Sequence, residues 1–291
     1  MSILSLRPVF RDSNESVKAF EYLKKQKYLK LNNIKPFIKN NFEDKLPFGY
    51  NLYNGSENLV GFLGTMFSYR TTLNLDFLYC NLHTWIVDEK YRLSFFSESE
   101  EILKKIFSYK CTFFAKPSKS LIRIFLRKFN MSVLKMKYRV NFLLNLKNLI
   151  LKNNFTIIEK KSILEEKLDN NEKKIFSDHK NLKCNKFLII DKKDEKNNIF
   201  VIALKKKKKF SISTLEIIYC SDIKKLRLIL PSIAFKIAFN FNVLFCSQYF
   251  FNEEGCILKK QKILKDRNYE VVIKDLPPEF QLDTLYSELV Y

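Results

Sequence analysis

The residue best suited to acid–base chemistry is His83, one of only two histidines in 291 residues. An imidazole with its ordinary pKa exchanges a proton near neutral pH, so His83 is a candidate general base. It lies in residues 77–87, whose β-branched and aromatic content predicts a strand. Because side chains alternate along a strand, Asn81, His83 and Trp85 are expected to share one face. The alternative is that His83 is a structural hydrogen-bonding residue.

A second chemically distinctive segment follows this strand and runs from Val87 to Ser97. It carries the cations Lys90 and Arg92 and leads into a predicted helix. The letters Ser97-Glu98-Ser99-Glu100 fit a capping box, in which serine and glutamate satisfy the first free N–H groups of a helix. Two descriptions therefore compete: a basic turn with open backbone N–H groups, or a helix capped by Ser97. In the second description, the carboxylates near the first turn are Glu98, Glu100 and Glu101.

Three motifs in the first half resemble those of the GNAT superfamily of acyl-CoA N-acyltransferases, in the same order and spacing. Val87, Tyr91 and Arg92 match the cofactor motif Val-x-Pro-x-Tyr-Arg-Gly-x-Gly-x-Gly, although every glycine of that motif is missing. In the shorter form of the motif, Phe95 and Ser97 stand at the two glycine positions. The other two motifs are residues 61–65, similar to the strand before the catalytic strand, and residues 118–130, similar to the helix that ends the domain, with Asn130 replacing glycine.

The resemblance implies a binding mode for acetyl-CoA or another acyl-CoA. The pantetheine arm would pair with the backbone of residues 85–87, and the pyrophosphate would lie at the following helix N-terminus, which attracts anions. Glycine lets a backbone approach phosphate closely, so Phe95 is expected to crowd that approach. The implied cofactor-binding residues are Trp85, Ile86, Val87, Arg92, Leu93, Ser94, Phe95 and Ser97.

The reaction implied is transfer of the acyl group to an amine without a metal. A base takes a proton from the amine, and an acid returns one to the departing thiolate. The acid in the family is commonly a tyrosine near the start of the last helix, but residues 115–120 contain none. Ser118 is either a proton donor there or the N-cap of that helix. The predicted catalytic residues are therefore His83, Asn81 and Ser118.

The elements that would position these residues occur in the order of a GNAT domain between about residues 3 and 146. The fold implied is α+β, with a mixed, mostly antiparallel central sheet flanked by helices. An Asn-Gly pair at residues 54 and 55 favours a tight hairpin. The predicted strands are residues 5–10, 50–53, 60–69, 77–87, 111–115 and 131–146, and the predicted helices are residues 16–29, 31–42, 97–107 and 119–129.

The second half repeats part of this order. Residues 200–205, 215–220, 223–241 and 243–250 are predicted as strand, strand, helix and strand. The chain is therefore interpreted as a tandem of two related domains, a GNAT-like acyltransferase domain at residues 1–147 and a second, degenerate one at residues 148–291. The triplets Leu78-Tyr79-Cys80 and Ile218-Tyr219-Cys220 support this weakly.

The remaining segments of the second half are polar or short. Residues 153–174 and 180–198 are predicted as Lys-rich connections, and Lys205–Lys209 is predicted to lie in the hairpin between two strands. Near the end, residues 282–289 have the apolar spacing of a short helix that docks on a core.

The composition indicates which cellular compartment and which kinds of partner are expected. The net charge of +21 comes from 43 Lys and only 9 Arg, a bias typical of an AT-rich gene, and no nucleic-acid-binding motif is present. The six cysteines lack metal-ligand spacing and indicate buried thiols in a reducing compartment. The N-terminus has no signal-peptide core, and charged or polar residues interrupt the apolar tract 226–251, so a cytoplasmic protein without a membrane span is expected.

Three functions remain in order of preference. The first is a cytoplasmic acyltransferase that moves an acyl group from acyl-CoA to a small amine. The second is a non-catalytic GNAT-like binding protein that has lost CoA binding. The third is nucleic-acid binding through Lys205–Lys209, with strong salt dependence. The sequence leaves the amine, the acyl chain and the oligomeric state open.

Overall fold

The computed structural model describes residues 4–26, 43, 45–72, 75–92, 95–115, 119–144, 154–207, 213–250, 257 and 263–275. The chain forms two compact units. Unit 1 contains Met1–Leu134 and also Glu270–Phe280, whereas unit 2 contains Lys135–Tyr269. The helices predicted at residues 31–42 and 282–289 lie outside the described residues.

The described residues contain twelve strands, six α-helices and one 3₁₀ helix. The strands are β1 (Ser5–Val9), β2 (Gly49–Tyr53), β3 (Leu59–Thr72), β4 (Leu75–Val87), β5 (Thr112–Ala115), β6 (Ser132–Phe142), β7 (Phe155–Ile158), β8 (Asn185–Asp191), β9 (Asp194–Lys207), β10 (Ser213–Cys220), β11 (Phe245–Phe250) and β12 (Ile263–Lys274). The α-helices are α1 (Asn14–Lys24), α2 (Phe95–Ser108), α3 (Lys119–Phe129), α4 (Lys161–Lys167), α5 (Asn170–Asp178) and α6 (Ile223–Phe241), and the 3₁₀ helix is Glu89–Tyr91.

In unit 1 the strand order is β1-β2-β3-β4-β5-β12. All neighbouring strands are antiparallel except β4 and β5, which are parallel. Helices α2 and α3 supply apolar side chains to one face of this sheet, where Phe67, Cys80 and Phe113 are buried with Ile106 and Phe125. Helix α1 packs against β1 and β3.

Unit 2 has the same sequence of strand directions. Its order is β7-β8-β9-β10-β11-β6, with β10 and β11 parallel and every other pair antiparallel. Helix α6 buries one side against Leu215, Ile217 and Cys246 of this sheet.

Each unit contains a strand that comes from the other half of the sequence. Strand β6 is predicted as the last strand of a domain at residues 1–147, but from Lys137 to Phe142 it pairs with β11 in unit 2. Strand β12, from the last part of the chain, pairs with β5 in unit 1 through Val272, Ile273 and Lys274. The two halves of the chain therefore each supply one strand to the unit formed mainly by the other half.

The prediction of polar connections at residues 153–174 and 180–198 is wrong. These segments contain β7, α4, α5 and β8. The run Phe187–Ile190 is buried throughout, so its apolar character outweighs the surrounding lysines. Lys205–Lys207 also belongs to β9 rather than to a hairpin turn, and the other two lysines of that run lie outside the described residues.

Other predictions are confirmed. The fold is mixed α+β with a mostly antiparallel sheet, and the predicted bounds of 119–129 and 223–241 agree with α3 and α6. Asn130 has φ 48, the left-handed conformation for which the family uses glycine at the end of this helix. Four of the cysteines, Cys80, Cys111, Cys220 and Cys246, are buried. No helix within the described parts of the chain is long and apolar enough to cross a membrane.

Candidate functional site

Strands β4 and β5 separate halfway along β4. Their parallel pairing comprises Tyr79 with Thr112, Cys80 with Phe113 and Asn81 with Phe114. Strand β5 ends at Ala115, whereas β4 continues to Val87. Within the described residues, the register beyond Asn81 joins β4 to β3 only. The predicted pantetheine positions Trp85, Ile86 and Val87 lie in this extension of β4.

A β-bulge interrupts β4 in the same extension. Phe62 pairs with Ile86 and Gly64 pairs with His83, so β4 has one extra residue between these two pairs. Thr84 lies there with φ 48, a left-handed conformation that is strained for a β-branched residue. Bulges of this kind redirect side chains and are frequent next to active sites.

The bulge overturns the prediction that Asn81, His83 and Trp85 share one face. Trp85 packs on the core beneath α2 and α3, and its ring meets Phe125 edge to face with 6.0 Å between centroids. Asn81 and His83 pair with Met66 and Gly64 on the opposite face. The extra residue at Thr84 breaks the two-residue alternation and turns Trp85 to the other side.

His83 is buried against Gly64. Only 5% of the His83 surface is exposed, and its Nδ1 lies 2.8 Å from the Thr84 hydroxyl. A Cβ atom at position 64 would lie 2.1 Å from His83 Cε1, so only glycine allows the imidazole to take this place. This contact gives a physical reason for Gly64 in the segment 61–65.

Burial lowers the pKa of His83 to about 3. The desolvated site disfavours the charged imidazolium, so the ring is neutral near pH 7. A general base works best with a pKa near the operating pH, and this imidazole is far from that range. The enclosed environment of His83 favours the alternative of a structural hydrogen-bonding residue.

The turn between β4 and α2 is held from both sides. The Tyr22 hydroxyl lies 2.8 Å from Asp88 Oδ1 and 3.1 Å from the Val60 carbonyl oxygen. At the other end of the 3₁₀ helix, Asn54 Nδ2 donates to the Tyr91 hydroxyl at 2.8 Å. Helix α1 and the β2–β3 hairpin thus fix the path of the chain into α2.

Arg92 is the cation closest in sequence to α2. Its side chain is exposed, and its Nε donates to the Val87 carbonyl oxygen at 3.2 Å. This bond holds the guanidinium at the end of β4, on the approach to the helix. Leu93 and Ser94 lie outside the described residues.

Helix α2 begins at Phe95, so the prediction of a cap at Ser97 is wrong. Ser97 is the third residue of the helix, which begins two residues earlier than expected. Residues 95–97 therefore form the first turn, whose N–H groups have no carbonyl partner within the helix. Phe95 and Ser97 are described only through this backbone.

Two of the three glutamates named near the start of this helix, Glu100 and Glu101, pair with lysines. Glu100 forms ion pairs with Lys104 at 3.0 Å and Lys128 at 3.2 Å, and Glu101 pairs with Lys105 at 2.7 Å. Hydrogen bonds from Lys104 and Lys128 lower the pKa of Glu100. Both carboxylates lie beyond the first turn and are balanced by lysines. Glu98 is described only as backbone, and Ser118 lies outside the described residues.

Unit 2 has a corresponding strand-to-helix turn with different chemistry. Strand β10 pairs with β11 from Thr214 to Ile217, and a bulge follows between Ile217 and Tyr219. Helix α6 then begins after Asp222, whose carboxylate accepts the Lys225 N–H at 2.8 Å. The N-cap side chain thus accepts a hydrogen bond from a backbone N–H group at the start of this helix.

The two similar triplets do not occupy corresponding places. In unit 1, Tyr79 and Cys80 lie where β4 pairs with β5. In unit 2, Ile218-Tyr219-Cys220 follows the last parallel pair, Ile217 with Gln248. Their similarity is therefore no support for a repeat, whereas the matching strand directions are.

Comparison with known proteins rests on structure. No protein-family model and no curated protein sequence matches the chain. A GCN5-related N-acetyltransferase from Anabaena variabilis is similar with a TM-score of 0.59 and 9% identity, over 92% of this chain and 72% of that one. An N-myristoyltransferase from Saccharomyces cerevisiae, with bound myristoyl-CoA, is similar with a TM-score of 0.52 and 10% identity, over 97% and 83%.

A third similar structure is a tandem GNAT protein from the clavulanic acid biosynthesis pathway, with a TM-score of 0.50 and 9% identity, over 96% of this chain and all of that one (100%). The fold is that of the GNAT superfamily, in a divergent form. At this level of identity, the likeness defines the fold and leaves the activity to the residues of the site.

Proposed function

We propose that this protein is an acyltransferase that moves an acyl group from acyl-CoA to a small amine. The observation that carries the proposal is that the edge of β4 that pairs with β5 continues from Leu82 to Val87, beyond the last described pair of the two strands at Asn81. The pantetheine arm of CoA carries amide groups that can pair with such an edge as an added strand would. The similar N-myristoyltransferase with bound myristoyl-CoA makes an acyl-CoA the natural donor.

The pyrophosphate of CoA would lie at the first turn of α2. Its N–H groups and the positive end of the helix dipole attract an anion, and Arg92 adds a fixed cation. The cofactor-binding residues in this proposal are those predicted from the sequence, with Leu93, Ser94, Phe95 and Ser97 contributing through the backbone. The absence of glycine constrains the approach at Phe95 but leaves the N–H groups in the turn.

His83 is proposed to be a positioning residue rather than the base. Its neutral ring contacts Thr84, the residue whose left-handed backbone forms the bulge in β4. The bulge in turn sets the direction of the Trp85–Val87 backbone against which the thioester would lie. Asn81, on the same face, is proposed to contact the amine, whose proton would pass to water as the amine attacks the thioester. Ser118 is proposed as the proton donor to the thiolate that leaves.

Unit 2 is proposed to be a second, degenerate GNAT-like domain without a cofactor. Its strand directions match those of unit 1, but Asp222 occupies the helix end at which a pyrophosphate would bind. The buried thiols suit a reducing compartment, and a cytoplasmic location is proposed.

The second candidate function is a GNAT-like binding protein without activity. It is favoured by one observation, the low pKa of about 3 at the only histidine on the candidate catalytic strand. In this case the protein would bind a partner through the same scaffold and leave acyl-CoA unchanged.

Calorimetric titration of the full chain with acetyl-CoA, and separately with myristoyl-CoA below its micelle concentration, tests the proposal. Binding of either ligand, followed by CoA release in the presence of a panel of amines, supports the acyltransferase. Binding without CoA release contradicts acyl transfer to these amines. A folded protein that gives no heat with myristoyl-CoA, or with acetyl-CoA at up to about millimolar concentration, contradicts the acyltransferase and supports the binding protein that has lost CoA binding.

A further inference from the structure

Helix α6 of unit 2 exposes a line of apolar side chains, here called the α6 stripe: Leu228, Phe235 and Phe239. Leu228 is 67% exposed and Phe239 is 76% exposed. The partly exposed ring of Phe235 stacks on Phe239 with 6.4 Å between centroids and 30° between planes. Residues spaced by seven and then four positions lie along one side of a helix, so the stripe is about 16 Å long.

The stripe is a fixed feature, because the opposite side of α6 is anchored in the core. Asp222 caps the first turn, and Asn242 ends the helix in the left-handed conformation. On the flank, Lys236 Nζ donates to the Phe155 carbonyl oxygen at 2.6 Å. The buried residues of α6 are Leu226, Leu230, Ile233, Ala234, Ile237, Ala238 and Phe241. A rigid exposed line of large apolar side chains marks an interaction site.

The charge around the stripe has one sign. Helix α6 carries four basic residues and no acidic residue in its 19 residues. Lys224 is exposed and lies one turn before Leu228, on the same side of the helix. The basic residues of the helix are Lys224, Lys225, Arg227 and Lys236.

We propose that the α6 stripe docks on an anionic membrane surface. Phenylalanine and leucine would enter the region between headgroups and acyl chains, and the exposed Lys224 would meet the acidic headgroups. A helix that combines exposed phenylalanine and leucine with lysine and arginine has the composition of helices that lie at membrane surfaces.

A second copy of the chain is a poorer occupant. A symmetric dimer through the stripe would place two basic helices that carry no acidic residue against each other, and neither would supply a partner for the other's charges. A nucleic acid would pair with the lysines but would leave Leu228 and Phe239 without an apolar environment. The membrane surface satisfies both the charge and the apolar line, and this inference does not depend on the proposed acyl transfer.

Sedimentation of the full chain with vesicles tests the proposal. We expect at least about tenfold stronger partitioning to vesicles with roughly 30% phosphatidylserine than to phosphatidylcholine alone, decreasing with salt. The double variant Leu228→Ser/Phe239→Ser should lower binding to the anionic vesicles by about tenfold or more, because both apolar contacts are lost. The matched control Val17→Ser, at a position 62% exposed on α1, should bind like the unchanged protein.

Two further variants keep the test independent of folding. Lys224→Glu favours the helix dipole at the start of α6, so the fold should persist while anionic binding falls about fivefold. Phe239→Trp should show a blue shift of emission on anionic vesicles, which the parent protein with Trp85 as its only tryptophan should not show. Equal binding to neutral vesicles, no sedimentation, or capture of acidic proteins in place of vesicles would overturn the proposal.

Discussion

The turn after β4 in unit 1 and the turn after β10 in unit 2 follow bulged strands and lead into long helices, yet they differ at the helix end. Unit 1 joins its strand to α2 through a basic turn, with Arg92 bound to the Val87 carbonyl. Unit 2 uses a short connection in which Asp222 caps α6. A helix N-terminus can bind an anion only while its N–H groups are not occupied by a side chain. The difference between Arg92 and Asp222 therefore separates a candidate cofactor site from a structural helix end.

The largest expected effect is a loss of unfolding free energy when the strand pair beside the unit 1 turn is changed. Gly64→Ala should destabilise unit 1 by about 3 kcal/mol or more, because the new methyl group would overlap the His83 ring. The corresponding strand pair of unit 2 has Ala203 opposite Ile217, and there Ala203→Gly should cost only about 1 kcal/mol. Urea unfolding measures both.

The double variant Gly64→Ala/His83→Ala is the control, because removing the ring should restore part of the lost stability. If Gly64→Ala is as stable as the parent protein, the close approach of His83 to Gly64 is incorrect.

A second prediction concerns the acid sensitivity that buried His83 gives to unit 1. Unfolded histidine binds a proton below about pH 6.5, whereas folded His83 has a pKa of about 3, so stability falls as pH falls between these values. His83 should contribute about 3 kcal/mol to the loss of unfolding free energy between about pH 7 and pH 4. In His83→Gln this part of the loss should disappear, and an unchanged pH slope would show that the imidazole is accessible to protons.

The third prediction tests the unit 1 turn directly. Arg92→Ala should weaken acetyl-CoA binding about tenfold, because one charge-assisted contact to the pyrophosphate is lost. Titration calorimetry measures the change. Arg123→Ala, an exposed arginine on α3, is the matched control and should leave the affinity unchanged. Equal losses in the two variants would indicate a general effect of net charge rather than a site at the turn.

The smallest effect is expected at the unit 2 turn. Asp222→Ala should lower the unfolding free energy by about 1 kcal/mol, because the first turn of α6 loses its side-chain cap. Asp222→Asn keeps a capping oxygen and should change stability by only a few tenths of this amount. Acetyl-CoA affinity should be the same in both variants, and a weakened affinity would mean that unit 2 takes part in cofactor binding.

The sequence predicts most of unit 1, because its elements have strong local signals. In unit 1, the strand at residues 77–87 and the helix at residues 119–129 carry clear apolar periodicity and defined ends, and in unit 2 the helix at residues 223–241 does so too. The position of Trp85 could not be predicted, because a bulge depends on the register with β3 rather than on the letters of β4.

The high lysine content of residues 153–174 and 180–198 prevented the prediction of several strands and helices of unit 2. The segments with β7, α4, α5 and β8 have exposed charged side chains on one side and apolar side chains on the other, and the composition was dominated by the charges. The buried run Phe187–Ile190 was a local signal that could have identified β8. Lys206 was likewise predicted in a solvated turn, but it forms an ion pair with the buried Glu216 at 2.6 Å.

The low pKa of His83 also could not be predicted from the sequence. Only the contact with Gly64 across the sheet reveals that the imidazole is enclosed, and the desolvation that follows moves its titration far from neutrality. The chemical role of a histidine depends on its environment, and residue type alone does not supply it.

The exchanged strands β6 and β12 set the order in which the protein is completed during synthesis. The sheet of unit 1 has to wait for Val272–Lys274, so the ribosome must make most of the chain before β5 finds its partner. Until then β5 is an unpaired edge, open to association with other chains. Genes cut between the halves should therefore yield fragments that aggregate, and complementary fragments produced together should rescue one another.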